Sequence, residues 1–351
     1  MNHRDRLKRL QSELKNPLLV TKLPNIRYLT GFSGSNAFLL VWPDRATFVT
    51  DGRYAELSEP LIDALESTAL EVYQGKSVPS LVGLMGSGTF QLEADDASWD
   101  FMKNLAEEFS GDLEPSTGIV EELRKVKDAE EVAALRSAAA AGDATFGRLE
   151  KLVEGARNES DLGWALLNSM RSLGAEVAGW DPIVAAGANG SRPHHQTGGD
   201  PIVDGPLLLD YGCTVDGYHS DMSRTVWLGA DAPDAETVKI RDAVAEAQQA
   251  GIDAVAPGVA VGDVDLAARQ VLEGLGYGEA FVHSTGHGVG LEIHEAPWAA
   301  KGQTELLEPG HVLTVEPGIY LAGQGGVRIE DMVLVTDSGY EILTTSSRDL
   351  V

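Results

Sequence analysis

Two long stretches of this chain resemble each other, and that internal repeat limits the fold more than any other feature. "LRSAAAAGDATFGRLEKLVEGARNESDLGWALLNSMRSLGAE" is matched about one hundred residues later by "IRDAVAEAQQAGIDAVAPGVAVGDVDLAARQVLEGLGYGE". In each copy a helix ends near a glycine, a polar turn follows, and a second helix closes on Leu-Gly. Asp161-Leu162 is expected to answer Asp265-Leu266, and Leu173-Gly174 to answer Leu275-Gly276. Further on, "GPLLLDYG" corresponds to "GHVLTVEPG", which puts Asp210 and Glu316 at equivalent strand positions.

Both copies continue into a hairpin carrying acids. "PLLLDYGCTVDGYHSDMSRTVWL" has two apolar-rich runs around Asp216-Gly217, a strong two-residue turn signal. With the turn there, Gly212 lies opposite Asp221. Asp210 and Asp221 then become diagonal neighbours on one face, roughly 7–8 Å apart at the backbone. In "VLTVEPGIYLAGQGGVRIEDMVLV", Glu316 and Glu330 flank a glycine-rich turn, and Glu330 occupies a position where the pattern buries apolar side chains. A buried lone carboxylate is costly, so it needs a cation, hydrogen bonds or a raised pKa.

Between the hairpins, "FVHSTGHGVGLEIHEAP" concentrates His283, His287 and His294, three of the chain's eight histidines. Taken singly, each residue has a plain structural reading: Asp210 a turn cap, Asp221 a surface acid, Glu330 a partner for Arg328, His287 a loop histidine. Taken jointly, acids on two related hairpins around a histidine segment point to a metal site. Four carboxylates and an imidazole suit Mn²⁺, Co²⁺ or Zn²⁺ better than a thiolate site would. Two dications would relieve the repulsion among four anions.

Residues before about 120 alternate strand and helix signals and predict an α/β layer domain. "NPLLV", "AFLLVW" and "ATFVT" read as strands; "RYAELSEPLIDALEST" and "DASWDFMKNLAEEF" read as helices. "PSTGIVEELRKVKDAEEVAALRSAAAAGDATFGRLEKL" should begin as a turn and pass into one long helix, with "EELRKVKDAEE" as the boundary. Domains are therefore expected at residues 1–120 and 121–351. With 54 acidic against 27 basic residues, the net charge of −27 opposes nucleic acid and anionic membranes. Cys213 is the single cysteine, and the N-terminus lacks a secretory signal, so a soluble cytoplasmic protein is expected. There is no HExxH and no phosphate-binding loop; "GLGYG" reads as a helix end.

Along nearly its whole length the chain resembles the pita-bread metallopeptidases, in their proline-specific branch of prolidases (Xaa-Pro dipeptidases) and Xaa-Pro aminopeptidases. "NIRYLTGFSGSNAFLLV" and "FVTDGRYAE" resemble the creatinase-like N-terminal domain. "DPIVAAGANGSRPHH", "LLLDYGC", "HSDMSRT", "HSTGHGVGLEIHE", "TVEPGIY" and "GVRIED" resemble successive site motifs of the catalytic domain. The resemblance implies an α/β domain followed by an α+β pita-bread domain with a pseudo-twofold repeat. It implies two divalent metal ions (Mn, Co or Zn) held by Asp210, Asp221, His287, Glu316 and Glu330, with Asp221 and Glu330 bridging. Glu316, His283, His294 and His194 become the catalytic residues. His194, His283 and His294 would surround the substrate, and Arg328 would stand beside the bridging glutamate.

The implied reaction is hydrolysis of the bond before proline, most simply in Xaa-Pro dipeptides. Alternatives are an Xaa-Pro aminopeptidase acting on longer peptides, a methionine aminopeptidase, and a non-catalytic peptide-binding module on the same fold. Phe32 and Trp180 are candidate walls for the proline ring. Some prolidases carry an arginine shortly after the His-Glu pair; here Trp298 stands nearby and Lys301 lies beyond. A small peptide substrate and a homodimer are the implied partners.

Overall fold

A computed structural model describes residues 2–176 and 180–349. The chain divides into two units, Met1–Arg124 and Lys125–Val351. Unit 1 contains helices α1 (His3–Glu13), α2 (Leu23–Thr30), α3 (Ala55–Asp63), α4 (Ser77–Met85), α5 (Trp99–Glu108) and α6 (Ile119–Lys125), the last ending at the division. Its strands are β1 (Leu18–Val20), β2 (Ala37–Val41), β3 (Ala46–Asp51), β4 (Thr68–Tyr73), β5 (Thr89–Glu93) and β6 (Asp112–Ser116). They form one sheet in the order β4-β3-β2-β1-β5-β6. The apolar runs of β1, β2 and β3 bury Leu19, Leu40 and Val49 in a core completed by Phe90 and Leu105.

Two sequence expectations fail at the end of this unit. Pro115 and Ser116 belong to β6, not to a turn. Proline is tolerated there because β6 is an edge strand, whose one free side needs no ladder donor. The single long helix is instead three: α6, α7 (Ala129–Phe146) and α8 (Leu149–Glu154). Asp128 starts α7 with a capping box, accepting from the Glu131 N–H while Glu131 accepts in return, so the helix begins anew there.

In unit 2, α7 and α9 (Glu159–Ser172) recur as α10 (Ala235–Asp253) and α11 (Val261–Gly274). The α9 and α11 helices are each 14 residues long and close on Leu173-Gly174 and Leu275-Gly276, with both glycines at positive φ. In that alignment Asp161 answers Asp263, not Asp265. Burial explains the correction: Leu162, Leu166 and Met170 are matched by Val264, Ala268 and Leu272, all buried, whereas Leu266 is 48% exposed. The dipeptide match was shifted by two residues, which would turn the apolar stripe outward.

The strands of unit 2 are β7 (Ile183–Ala186), β8 (Gly205–Tyr211), β9 (Thr214–Val215), β10 (Tyr218–His219), β11 (Met222–Leu228), β12 (Gly286–Gly288), β13 (Glu295–Ala299), β14 (Val312–Val315), β15 (Gly318–Leu321), β16 (Gly325–Arg328), β17 (Asp331–Thr336) and β18 (Gly339–Ile342). One sheet runs β11-β8-β7 and another β13-β12-β14-β17-β18; β9-β10 and β15-β16 are separate two-stranded ribbons. Each ribbon is the tip of a longer hairpin. In the first, Met222 pairs with Tyr211 and His219 with Thr214, a register that sets Gly212 opposite Asp221 as expected. Its turn residues Asp216 and Gly217 both take positive φ, 50° and 81°, which a two-residue hairpin turn demands. In the second, Val315 pairs with Asp331 and Gly318 with Arg328, which sets Glu316 opposite Glu330. Its tip, residues 322–324, is exposed.

Candidate metal centre

The ladders break where the acids sit. Asp210 is the last residue but one of β8, Asp221 lies just before β11, and Glu316 and Glu330 occupy the gap between β14–β17 and the β15–β16 ribbon. Both breaks turn carboxylates into one cavity of about 490 Å³ within unit 2, which His194, His283, His287, His294, Arg328, Trp180 and Trp298 also line. His287 comes from β12, opposite Trp298 of β13. Its backbone passes so close to its neighbours that a Cβ at Gly288 would lie 2.2 Å from the Ala296 carbonyl oxygen, so only glycine fits.

His287 Nε2 lies 3.3 Å from Glu316 Oε1 and 3.6 Å from Asp221 Oδ2. Its Nδ1–H donates to the Gly288 carbonyl at 3.1 Å, the arrangement that leaves Nε2 free to ligate when the ring is neutral. Burial pulls the His287 pKa down, but the Glu316 hydrogen bond and charge win and raise it. Glu316 responds in kind: burial pushes it up, while the His287 hydrogen bond and the charges of His287, His283 and Arg328 bring it to about 2. Thr314 Oγ1 steadies the pair, donating to Glu316 Oε1 at 3.2 Å and accepting the His287 N–H at 3.1 Å.

Asp221 and Glu330 are 4% and 1% exposed. Burial, then repulsion from the other acids, holds both well above the ordinary carboxylate range. Glu330 does not pair with Arg328, as one reading of the sequence would have it. It accepts from Ser223 Oγ at 2.7 Å, and Arg328 Nε donates to that same hydroxyl at 2.8 Å. The guanidinium turns instead to Asp210, with Nη2 2.6 Å from Oδ2. Asp210 Oδ1 is buried and has no hydrogen-bond partner.

These observations test the fit of a dinuclear cation centre. Asp221, His287 and Glu330 each offer a ligand atom within 4.8 Å of the others, a spacing one ion can span. The orphaned Asp210 oxygen and two carboxyls forced to retain protons both call for positive charge in the same cavity. The oxygen-rich donor set with one imidazole, and with Cys213 buried elsewhere among apolar side chains, fits hard or borderline dications.

The histidines differ in freedom. His194 and His294 are exposed to the cavity, and burial with neighbouring His287 lowers the His294 pKa. His283 is fully engaged: Nδ1–H donates to Ser284 O at 2.7 Å, and Nε2 accepts from the Tyr320 hydroxyl at 2.9 Å. Burial lowers the pKa of this ring. Tyr320, which in turn accepts from Arg328 Nη1 at 2.8 Å, was missed in the sequence. Of the two wall candidates, Trp180 lines the cavity. Phe32 does not: it is buried in unit 1 with its ring 5.0 Å from Phe48 and 5.4 Å from Tyr54. Lys301 is exposed and is not among the residues lining the cavity.

Comparison with known proteins bears on the same regions. Residues 133–337 match the model of metallopeptidase family M24, and residues 6–126 that of the creatinase/prolidase N-terminal domain. The Xaa-Pro dipeptidase of Pyrococcus furiosus is 31% identical, over 95% of this chain and 94% of that protein. The solved structure of an Xaa-Pro dipeptidase from Bacillus anthracis matches with a TM-score of 0.93 at 34% identity, covering 100% of this chain and 99% of that one. An X-Pro aminopeptidase structure from Thermotoga maritima gives 0.85 at 30% identity, over 95% and 96% of the two chains.

Proposed function

The chain belongs to metallopeptidase family M24, with a creatinase/prolidase N-terminal domain ahead of the pita-bread domain, and from that premise we propose that it hydrolyses the peptide bond preceding proline. The observation that carries this is the convergence of four carboxylates and His287 on one cavity. Asp210, Asp221, His287, Glu316 and Glu330 would hold two divalent cations. When bound, the cations supply Lewis acidity to the scissile carbonyl and lower the pKa of a water near neutral pH.

The chain's own residues do the rest. Glu316, ionised across the working range, accepts the water's proton and passes it to the leaving nitrogen. His294, open to the cavity, donates to the substrate carbonyl side. His283 lines the same side of the cavity, its ring held in place by the Tyr320 hydroxyl. His194 holds the substrate from the opposite segment. Trp180 and Trp298 give apolar walls to a proline ring, whose nitrogen has no N–H for an ordinary peptidase to grip.

Dipeptides are the proposed substrates, with longer Xaa-Pro peptides as the alternative. Ala-Pro should be cleaved faster than Ala-Pro-Ala when Mn²⁺, Co²⁺ and Zn²⁺ are supplied in turn; faster tripeptide cleavage reverses that choice. Glu316→Ala, checked to retain metal, should lose at least about 100-fold in kcat. Near-normal turnover would remove the mechanism. A homodimer in the cytoplasm completes the proposal, and light scattering that finds only monomer would refute the dimer. Among the described residues, no helix is long and apolar enough to cross a membrane.

A further inference from the structure

The loop between β7 and β8 carries two adjacent histidines with opposite environments. His194 is exposed and lines the cavity, whereas His195 is 5% exposed. His195 Nε2 lies 2.7 Å from Oε2 of Glu159, a residue with 0% exposure at the first turn of α9. The other carboxylate oxygen, Oε1, accepts the Ala186 N–H at 2.9 Å and Asn189 Nδ2 at 2.8 Å. The Glu159 N–H donates to Asp200 O at 3.0 Å. One buried acid thereby fastens the start of α9, the end of β7, the short 3₁₀ turn Gly187–Ser191 and the loop bearing His194.

Opposite a carboxylate, Nε2 of His195 is a donor. In the neutral ring Nδ1 is then an acceptor, and that atom is buried without a hydrogen-bond partner. Such an orphan is costly, so the imidazole is not there for stability alone. A cation site is the competing reading, because Glu159, His195 and Asp200 offer ligand atoms within 4.8 Å of one another. Asn189 Nδ2 already spans the two carboxylates, however, donating to Glu159 Oε1 and, at 3.0 Å, to Asp200 Oδ2. On the other side of His194, the Pro193 carbonyl accepts from Arg328 Nη1 at 3.3 Å. His194 is thus bracketed between two fixed neighbours.

We propose that the Glu159–His195 pair is a positioning device, which locks the backbone of the 192–197 loop so that the His194 ring meets the substrate. This rests on His194 contacting substrate, as proposed above. His195→Leu should lower kcat/KM for Ala-Pro about 10- to 100-fold, the penalty for an ångström-scale misplacement, with metal content and melting temperature retained. His195→Gln, whose amide can still donate to Glu159, should recover most of the loss. In a His194→Ala background, His195→Leu should cost less than about twofold, because coupled residues are not additive.

If His194→Ala leaves activity intact, the role of His194 fails. If His194→Ala is impaired but the two losses multiply independently, the positioning proposal fails. Histidine-selective ¹⁵N spectra read the same point without turnover. His195→Leu, and Glu159→Gln as a second variant should the first not fold, must shift the His194 ring signals while leaving those of His287 and His294. Unmoved His194 signals overturn the proposal.

Discussion

Asp210 Oδ1 has no donor although its sibling oxygen is gripped by Arg328, and this asymmetry explains how the site manages its acids. One guanidinium serves Asp210 directly and Glu330 only through the Ser223 hydroxyl, so most of the negative charge is left for cations to neutralise. On the proposed ligand set, Asp221→Asn or Glu330→Gln removes a ligand, and metal analysis of either variant should find less than one tightly bound ion per chain. Arg328→Met should instead keep the ions but loosen Asp210 and Tyr320, lowering kcat more than metal affinity. The acids of the two hairpins were legible from the repeat and the hairpin pattern, Glu330 because its position would ordinarily be apolar, whereas only the family resemblance separated His287 from His283 and His294. Ser223, Tyr320 and Glu159 were not legible. Their meaning lies in partners such as Glu330 and Arg328 that are distant in sequence, and a lone serine, tyrosine or glutamate carries no spacing signal.

At the level of elements, hairpin register decides which side chains share a face. The Asp216-Gly217 turn made the first register readable, since a two-residue turn leaves no choice of pairing. The second was readable in outline only: its glycine-rich tip admits several turn lengths, and pairing Glu316 with Glu330 needed the observed ladder. Gly212→Ala tests the first hairpin, since a Cβ there would sit 1.8 Å from the Ser220 carbonyl oxygen and 2.6 Å from Trp180. We expect a loss of about 2 kcal/mol or more, read as a fall in melting temperature together with weakened metal binding. Among the helices, the repeat was visible but its phase was not, because α11 offers two aspartates and the one that answers Asp161, Asp263, is followed by valine, while Asp265-Leu266 repeats the dipeptide out of phase. Burial resolves it. Leu166→Ala on the inner face of α9 should cost about 2–5 kcal/mol, whereas Leu266→Ala on the outer face of α11 should stay within about 0.5 kcal/mol.

For the whole molecule, the acid cavity links stability to pH and to metal. A carboxyl whose folded pKa exceeds its unfolded value, about 4, stabilises the fold below that value and loses this contribution as pH rises through the folded one. Asp221 and Glu330 are of this kind. Glu316, held at about 2, acts in the opposite sense, and only below its ordinary range. The metal-free protein should therefore lose stability from this site as pH rises from about 4 to neutrality, while the stabilisation by added Mn²⁺ grows, because the ions displace those protons. Melting curves with chelator and with Mn²⁺ across that range check both trends; a Mn²⁺ effect independent of pH would show that the acids hold no protons. The acidic surface, with net charge −27, predicted no nucleic-acid role and says little about the interior, where a handful of paired acids sets the behaviour. The exposed tip of the second hairpin carries a practical corollary. Residues 322–324 lie past the last ladder pair, Leu321 with Gly325, so lengthening the chain there alters no pairing beneath it. A short tag grafted at Gly323 should ride outside the protein like a handle, offering a tether for immobilisation that leaves the chemistry below undisturbed.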